Sequence, residues 1–346
     1  YDVKRFAVVR GEVKDKNNMP LAQVSVIVDG RPEYGTSKTD TNGQFSLPVD
    51  SNGTLNIIFT KEGFITTHRQ VQVSHNDVAI TETVIMLAED TKVTEVALNG
   101  DATSVVVHQS TPVADISGTR QANVVIAGDN KAYAVDENGN DMFELSKLNV
   151  RATEFTTPES MPAVLPPTSA FTYCVELKAD GVDRVRFKDP VVVYVDNFLG
   201  FNVGEIVPVG YYNRDRGVWV PSDNGRVVKL LDTNSDGIVD ALDSNGDGNP
   251  DDLNTNGNYS DEVKGLNDPT KYAPGKTFWR VSLTHFTPWD LNWPKFPPIG
   301  AIASNATGTP NVDQQKKKDE DCDKAVNSYV NCRSRIYHED IDIPGT

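Results

Sequence analysis

The chain contains 346 residues, of which 49 are Asp or Glu and 33 are Lys or Arg, so its formal net charge is −16. This length is enough for about two to three domains. The acidic balance argues against nucleic acid as a partner, because phosphate contacts need clustered Lys and Arg. No apolar run approaches the ~18 residues that span a bilayer, so membrane insertion is not expected.

Residues 1–90 alternate apolar and polar side chains in short runs, which is typical of β-strands. Val24, Val26 and Val28 form one such run. Asn-Gly pairs at 42–43 and 52–53 separate neighbouring runs, and this dipeptide favours hairpin turns with positive φ. The pattern predicts a small antiparallel β-sandwich over residues 1–90. We expect this domain to fold alone and without calcium.

Three segments of this first domain resemble the carboxypeptidase-regulatory-like, transthyretin-like module. They are GEVKD at 11–15, PLAQVSVIV at 20–28 and YGTSKTDTNGQF at 34–45. The resemblance implies a spacer or folding partner, and the module has no catalytic residues to carry over.

We expect a second β-rich domain over residues 91–294. Apolar runs such as 191–195 are typical of strands buried on both faces, and helical periodicity is weak. Cys174 lies in an alternating strand pattern, where a free buried thiol is expected. The predicted fold class is therefore all-β, with tandem β-sandwich domains and an inserted array of calcium-binding loops.

The inserted array lies between Leu231 and Val263, where the chain carries nine acidic side chains and no Lys or Arg. Ca²⁺ loops supply oxygens from positions 1, 3, 5, 9 and 12 and a backbone carbonyl from position 7, with Gly at position 6. The first loop would use Asp232, Asn234, Asp236, the carbonyl of Ile238, Asp240 and Asp243. The second would use Asp243, Asn245, Asp247, the carbonyl of Asn249, Asp251 and Asn254.

Asp243 ends one loop and begins the next, so it is predicted to serve two ions. No helix fits between loops this close, and they resemble the tandem calcium loops of thrombospondin type 3 repeats, with some likeness to a dockerin loop. A solvated, disordered linker is the alternative, although linkers do not repeat Asp-x-Asn-x-Asp-Gly in register. A third frame from Asn254 has Tyr259 where Gly belongs, and we interpret it as an exit loop within the calcium segment 232–262.

Loops of this kind usually work at the millimolar calcium found outside cells, which predicts an extracellular protein, secreted or on the cell surface. Segments 161–173, 197–204, 209–226 and 272–290 occur in an order that resembles the region before the YD-repeat shell of Rhs-type proteins. These are bacterial relatives of teneurins that enclose a cargo. The 346 residues contain no YD repeats, so the resemblance does not imply that this chain encloses anything by itself.

Residues 295–346 read as a linker followed by a strand segment that alternates from Tyr329 to Ile343. An unpaired strand tends to be covered or to recruit a partner chain. Protein partners are therefore expected, with self-assembly through this strand as one mode. Cys322 and Cys332 lie close enough in sequence to close a small disulfide loop, and the spacing leaves open whether they do.

No nucleophile elbow, zinc-binding helix, phosphate loop or Cys-x-x-Cys pair occurs, so the protein is not expected to be an enzyme. His285 lies among aromatic residues and is interpreted as a structural residue. The leading prediction is a structural or interaction protein. A subunit of a fibre or adhesin is the first alternative, and a carbohydrate-binding surface built on Trp279, Trp289 and Trp293 is the second.

Overall fold

A computed structural model describes residues 4–50 and 52–295 of the chain. The predicted strand segment, the linker before it, Cys322 and Cys332 lie outside the described residues, so strand exchange and the disulfide stay predictions. Within the described ranges the chain forms 25 β-strands and three short 3-10 helices, at Pro32–Tyr34, Pro158–Ser160 and Tyr259–Val263. The all-β prediction is confirmed. None of the helices in this part of the chain is long and apolar enough to cross a membrane.

The first eight strands build two four-stranded sheets with a shared core. Their bounds are β1 (Phe6–Asp15), β2 (Ser25–Val28), β3 (Ser37–Lys38), β4 (Gln44–Asp50), β5 (Gly53–Thr60), β6 (Thr67–Val73), β7 (Val78–Ile80) and β8 (Val84–Met86). One sheet has the order β4-β1-β7, with β8 also paired to β1, and the other has the order β3-β2-β5-β6. Alternate side chains such as Val9, Leu47 and Phe59 are buried in the same core, as the period of two predicts.

The remaining strands, β9 to β25, form the second part of the fold, and the acidic segment 232–262 lies between β22 and β24 in the chain. Their bounds are β9 (Thr94–Ala97), β10 (Asp101–Gln109), β11 (Val113–Asp115), β12 (Gly118–Arg120), β13 (Ala122–Gly128), β14 (Ala132–Val135), β15 (Asp141–Leu145), β16 (Lys147–Phe155) and β17 (Cys174–Ala179). The remaining strands are β18 (Val185–Asp196), β19 (Ile206–Val207), β20 (Gly210–Asn213), β21 (Val218–Pro221), β22 (Gly225–Leu231), β23 (Ala241–Asp243), β24 (Thr277–His285) and β25 (Pro288–Asp290).

These later strands form two large sheets that face each other. A nine-stranded sheet has the order β10-β13-β18-β24-β22-β19, with β14, β15 and β23 at its sides. A six-stranded sheet has the order β21-β20-β25-β17-β16-β9, and β11 and β12 form a separate hairpin. Trp279 and Trp289 are 0% and 1% exposed in the core between the large sheets, and Cys174 is a free, buried thiol. The two buried Trp side chains therefore cannot form the predicted carbohydrate-binding surface.

The two parts of the fold share an interface that the prediction of a free-standing first domain leaves out. Ile65 and Leu87 from the first part are buried in one cluster with Phe155, Met161 and Cys174 from the second. A fragment limited to residues 1–90 would expose both of these apolar side chains to water. The domain boundary at residue 90 itself stays a prediction.

Arg69 connects the two parts from the centre of this interface. Its side chain is 9% exposed, and its guanidinium donates hydrogen bonds to the carbonyl oxygens of Glu159, Met161 and Pro162 at 2.8, 3.1 and 3.5 Å. Burial lowers the pKa of Arg69 to about 10. Because a buried cation is costly unless its donors are satisfied, these carbonyl contacts fix the 159–162 segment against β6.

His68 lies beside Arg69 and is buried in the same interface. Its Nδ1 lies 3.1 Å from the hydroxyl of Tyr212, and the two rings pack edge to face with centroids 5.3 Å apart. Burial, together with the positive charges of Arg214 and Arg69, lowers the pKa of His68 to about 3. His68 is therefore neutral in the folded protein at every pH at which proteins are normally handled.

We expect His68→Gln to reduce the acid sensitivity of the fold. An unfolded chain protonates this His near pH 6.5 and the folded chain only near pH 3, so the stability that neutral His68 contributes is lost as pH falls through that window. The loss in unfolding free energy from pH 7 to pH 5, measured by urea denaturation, should be about 2 kcal/mol smaller in the variant than in wild type. His75→Gln at an exposed position serves as control, and an unchanged pH dependence in His68→Gln would contradict the expectation.

Candidate metal centre

The acidic segment 232–262 is packed onto the outer face of the nine-stranded sheet, between the adjacent strands β22 and β24. Val239 and Leu242 of the segment, and Val263 directly after it, are buried in a cluster with Leu230 and Phe278 of those two strands. These apolar anchors hold the loops at fixed positions on the sheet. The segment is thus an ordered part of the fold, and the alternative of a free acidic linker does not describe it.

The first loop is organised around Asp232. Its carboxylate accepts the backbone N–H groups of residues 235–237 at 2.7, 3.2 and 2.8 Å. Asp240, at position 9, accepts both the N–H and the hydroxyl of Thr233 at 2.8 and 2.7 Å. Two further bonds run from Asp236 N–H to Asn234 Oδ1 and from Ile238 N–H to Asp236 Oδ1. Every predicted side-chain ligand from 232 to 240 therefore lies in one tight loop.

The second loop repeats this arrangement around Asp243, which is 1% exposed. The Asp243 carboxylate accepts the N–H groups of Asn245, Gly246 and Gly248 at 3.1, 2.7 and 3.0 Å. Asp251 accepts the N–H and the hydroxyl of Ser244, both at 2.7 Å. Two further bonds run from Asp247 N–H to Asn245 Oδ1 and from Asn249 N–H to Asp247 Oδ1. These matched contacts support the predicted register of both loops.

The backbone shows that the segment contains three loops of one kind. Positions 4 and 6 adopt positive φ in each of them: Ser235 (65°) and Gly237 (85°), Gly246 (86°) and Gly248 (83°), and Thr255 (58°) and Gly257 (85°). Left-handed backbone is uncommon outside Gly, Asn and Asp, so its occurrence at Ser235 and Thr255 marks equivalent positions.

The third loop starts at Asp252, two residues before the frame from Asn254 that is interpreted above as an exit loop. The Asp252 carboxylate accepts the N–H groups of Asn256 and Gly257 at 3.2 and 2.7 Å. Asp232 accepts from the same two loop positions, and Asp243 accepts from the second of them. The spacing Asp252-x-Asn254-x-Asn256-Gly257 was a usable signal. It was missed because the step from Asp243 to Asp252 is nine residues and not eleven.

Glu262 fixes the third loop to the sheet. It is 7% exposed, and its Oε1 accepts the N–H groups of Leu253 and Asn254 at 3.0 and 2.9 Å. Its other oxygen accepts from Arg280 of β24 at 2.7 Å. Leu253 is at position 2, so Glu262 makes the contact that Asp240 and Asp251 make in the earlier loops. This role was not predicted, because Glu262 lies two residues later in its loop.

Of the remaining predicted ligands, Asn254 is placed differently from the prediction. Asp243 hydrogen-bonds within the second loop, and its predicted sharing with the first loop stays a prediction. The amide nitrogens of Asn254 and Asn256 both donate to Asp261 Oδ2, at 3.3 and 2.6 Å. Asn254 therefore lies in the third loop at position 3, where it was predicted to close the second.

The donor chemistry of the three loops fits a hard cation. Their side chains offer carboxylate and amide oxygens, which are the ligands that Ca²⁺ takes. Across the described ranges no three Asp, Glu, His or Cys side chains converge as a metal cluster, since the carboxylates accept N–H groups of their own loops. The fit therefore rests on donor type and on the repeated backbone.

Comparison with known proteins identifies a likeness at the N-terminus. The profile of the Teneurin TTR-like domain matches residues 1–86. Teneurin-3 of Mus musculus is 28% identical over 94 residues, and Teneurin-3 of Danio rerio is 26% identical over 94 residues. That match covers 27% of this chain and 4% of each Teneurin-3. The N-terminal region is teneurin-like, in agreement with the predicted transthyretin-like module. The predicted calcium loops and the segments that resemble Rhs-type proteins lie beyond the matched residues.

Solved structures give only distant similarities. The 3-chlorocatechol 1,2-dioxygenase of Rhodococcus opacus has a TM-score of 0.21 at 16% identity and covers 24% of this chain and 60% of its own. The major pilin subunit of Bacillus cereus has a TM-score of 0.21 at 13% identity, with 70% of this chain and 83% of the pilin covered. Scores this low carry no argument about function.

Proposed function

We propose that residues 232–262 bind Ca²⁺ and that the protein is a non-enzymatic, extracellular structural or interaction protein. The observation that carries the proposal is the loop backbone repeated three times, with positive φ at positions 4 and 6. In each repeat an Asp at position 1 organises the loop and oxygen-bearing side chains follow at positions 3 and 5.

The ions would stabilise the connection between β22 and β24. Nine acidic side chains in this stretch repel one another, and bound cations reverse that repulsion because the ion is the largest local charge. Since β24 lies between β18 and β22 in the nine-stranded sheet, order in the loops supports the centre of the sheet. Calcium is thus proposed as a structural component and not as a catalyst.

Ion counting by native mass spectrometry tests the number of sites. We expect three calcium ions per chain in wild type and two in Asp252→Ala, because Asp252 organises only the third loop. Asp268→Ala is the matched control, as a partly exposed Asp outside the loops that bonds to Thr270. Two ions in wild type, unchanged in Asp252→Ala, would show that the third loop is not a site.

We further propose that the chain belongs to a Rhs/YD-like surface or secreted protein, in which residues 160–346 precede the shell. The support is the order of the motifs in that region and the teneurin-like N-terminal region. The mass of the protein isolated from its source separates this proposal from a fibre subunit. A much larger polypeptide supports the shell-proximal proposal, whereas a filament of single chains supports the fibre.

A further inference from the structure

Aromatic side chains surround the buried ring of Trp279 near the end of the described chain. The ring centroids of Phe198, Phe201 and Trp293 lie 4.9, 5.7 and 4.9 Å from that of Trp279, and Phe201 and Trp293 are 4.5 Å apart. Arg120, which is 3% exposed, holds its guanidinium 4.6 Å from the ring centroid of Phe198. Trp279 is 0% exposed, whereas the other three rings are only partly buried. These three outer rings form a fixed surface, which we call the aromatic patch.

Further apolar surface lies beside the aromatic patch. Leu199, which follows Phe198 in the chain, is 41% exposed. A shallow cavity of about 470 Å³ is lined by Phe198 together with Thr119, residues 196–197 and residues 275–277. Contiguous apolar surface on a protein often marks an interaction site. None of these residues belongs to the segment 232–262, so occupation of the patch does not depend on the proposed calcium function.

The chain leaves the sandwich from the aromatic patch. Trp293 belongs to the patch, and two residues later the N–H of Lys295 donates to the carbonyl oxygen of Thr168 at 2.7 Å. Residues 296–303, with the sequence FPPIGAIA, come next and lie outside the described residues. Because a chain spans at most about 3.6 Å per residue, Phe296 lies within about 11 Å of Trp293. An apolar segment is therefore tethered directly beside an apolar surface.

The backbone pairing that reaches Lys295 cannot continue into this segment. Residues 293–295 run antiparallel to residues 168–170. Hydrogen-bonded pairs alternate along such a ladder, so after Lys295 with Thr168 the next pair would be Pro297 with Pro166. Proline has no backbone N–H, and neither side of that pair has a donor. The segment after Lys295 therefore has to be held by side-chain contacts.

The composition of the segment matches an aromatic surface. Pro294-x-x-Pro297 is followed directly by Pro298, and proline-rich runs favour the polyproline II conformation. Such segments dock on aromatic-lined surfaces, because their preformed conformation loses little entropy on binding. Phe296 and Ile299 add large apolar side chains to the same run.

We propose that residues 296–303 dock on the aromatic patch of their own chain, with the prolines against the outer rings. The side chain of Phe296 or Ile299 fills the cavity beside Phe198. A short tether supplies an effective concentration in the millimolar range, so contacts too weak to hold a separate peptide are sufficient. Docking closes the patch to foreign proline-rich segments and fixes the direction in which the chain leaves the sandwich.

Disulfide trapping in the intact chain with calcium present tests the proposal. The test variant combines Leu199→Cys with Ile299→Cys, in a background of Cys322→Ser and Cys332→Ser. The remaining thiol, Cys174, is buried and does not compete. We expect an intramolecular disulfide on mild oxidation, identified by peptide mass spectrometry. A covalent dimer in its place would show that the segment docks on a second copy and would overturn the proposal.

Val164→Cys with Ile299→Cys, in the same background, is the matched control. Val164 is 69% exposed and lies four residues from Thr168, which is within about 14 Å, so the segment can reach it too. The Leu199 variant should form about tenfold more disulfide than the Val164 variant, which corresponds to about 1.4 kcal/mol in favour of the docked position. Equal yields, or a higher yield from the Val164 variant, would contradict docking on the patch.

Hydroxyl-radical labelling gives a second measurement that needs no added cysteine. Phe296→Ser with Ile299→Ser should raise the oxidation rates of Trp293 and Phe201 several-fold over wild type, because the patch loses its cover. Phe143, which is 55% exposed and lies on β15, is the internal reference and should keep its rate. Unchanged rates at Trp293 and Phe201 would show that the patch is open in the intact chain and available to another protein.

Discussion

Chelation of calcium with EDTA should lower the free energy of unfolding by about 1.4 kcal/mol for each occupied loop. That figure follows from linkage for a site with a Kd of about 0.1 mM in about 1 mM calcium. With three loops the loss is about 4 kcal/mol, which is large beside the 5–15 kcal/mol typical of a folded domain. Thermal unfolding with calcium and with EDTA measures it. Magnesium at the same concentration should restore little, because it prefers octahedral sites and dehydrates reluctantly.

Replacing the aspartate at position 1 by Ala should destabilise the protein more in the second loop than in the first. Asp243 is 1% exposed and its carboxylate accepts three N–H groups, so Asp243→Ala removes three charge-assisted hydrogen bonds that organise the second loop. Asp232 is more exposed, and water can replace it. Asp243→Ala should therefore lower the midpoint of unfolding more than Asp232→Ala, with or without calcium. The reverse order would contradict this account of the second loop.

Replacement of Arg69 should produce the second large effect. Arg69→Met keeps an apolar stem and removes the donors, leaving the carbonyls of Glu159, Met161 and Pro162 without the guanidinium. Pro162 keeps the N–H of His68 at 2.7 Å and Glu159 is exposed, so the buried carbonyl that loses its donor is that of Met161. At about 1–3 kcal/mol for a buried unsatisfied group, we expect a loss of about that size in urea denaturation. Because the same carbonyls connect the two parts of the fold, the loss should be accompanied by separate unfolding transitions.

Arg31→Met is the matched control for Arg69→Met. Arg31 belongs to the same part of the fold, its side chain is 57% exposed, and it pairs with Glu33 at 3.5 Å. Exposed ion pairs contribute about 0–1 kcal/mol, so the control should remain close to wild type. Equal stability of Arg69→Met and wild type would mean that the interface does not depend on the buried guanidinium.

The strand content of this fold could be predicted because the local signals are strong. The alternation around Val24, Val26 and Val28 and the Asn-Gly pair at 42–43 lie where β2 and the β3–β4 connection are found. Alternation of apolar and polar residues with a period of two predicts a strand and which of its side chains share a face. It carries no information about a contact such as Arg69 with residues 159–162, since that contact depends on how two separately patterned regions are placed in space.

The candidate site shows the same division between local and long-range information. The first two loops were predicted because Asp-Gly at positions 5 and 6 repeats with constant spacing. In the third loop Asn256 replaces that Asp and the spacing shortens. Its register became clear only from the backbone at Thr255 and Gly257. The anchoring of Glu262 by Arg280 depends on the packing of the segment on β24 and has no local signal.

Calorimetric titration of calcium into the EDTA-treated and dialysed chain tests the central claim most directly. The account predicts saturable heat at millimolar calcium in physiological salt, together with its loss in the triple variant Asp232→Ala, Asp243→Ala and Asp252→Ala. The control variant Asp268→Ala should titrate as wild type does. A wild-type chain that takes up no calcium, or a triple variant that binds as much as wild type, would contradict the assignment of residues 232–262 as the calcium-binding segment.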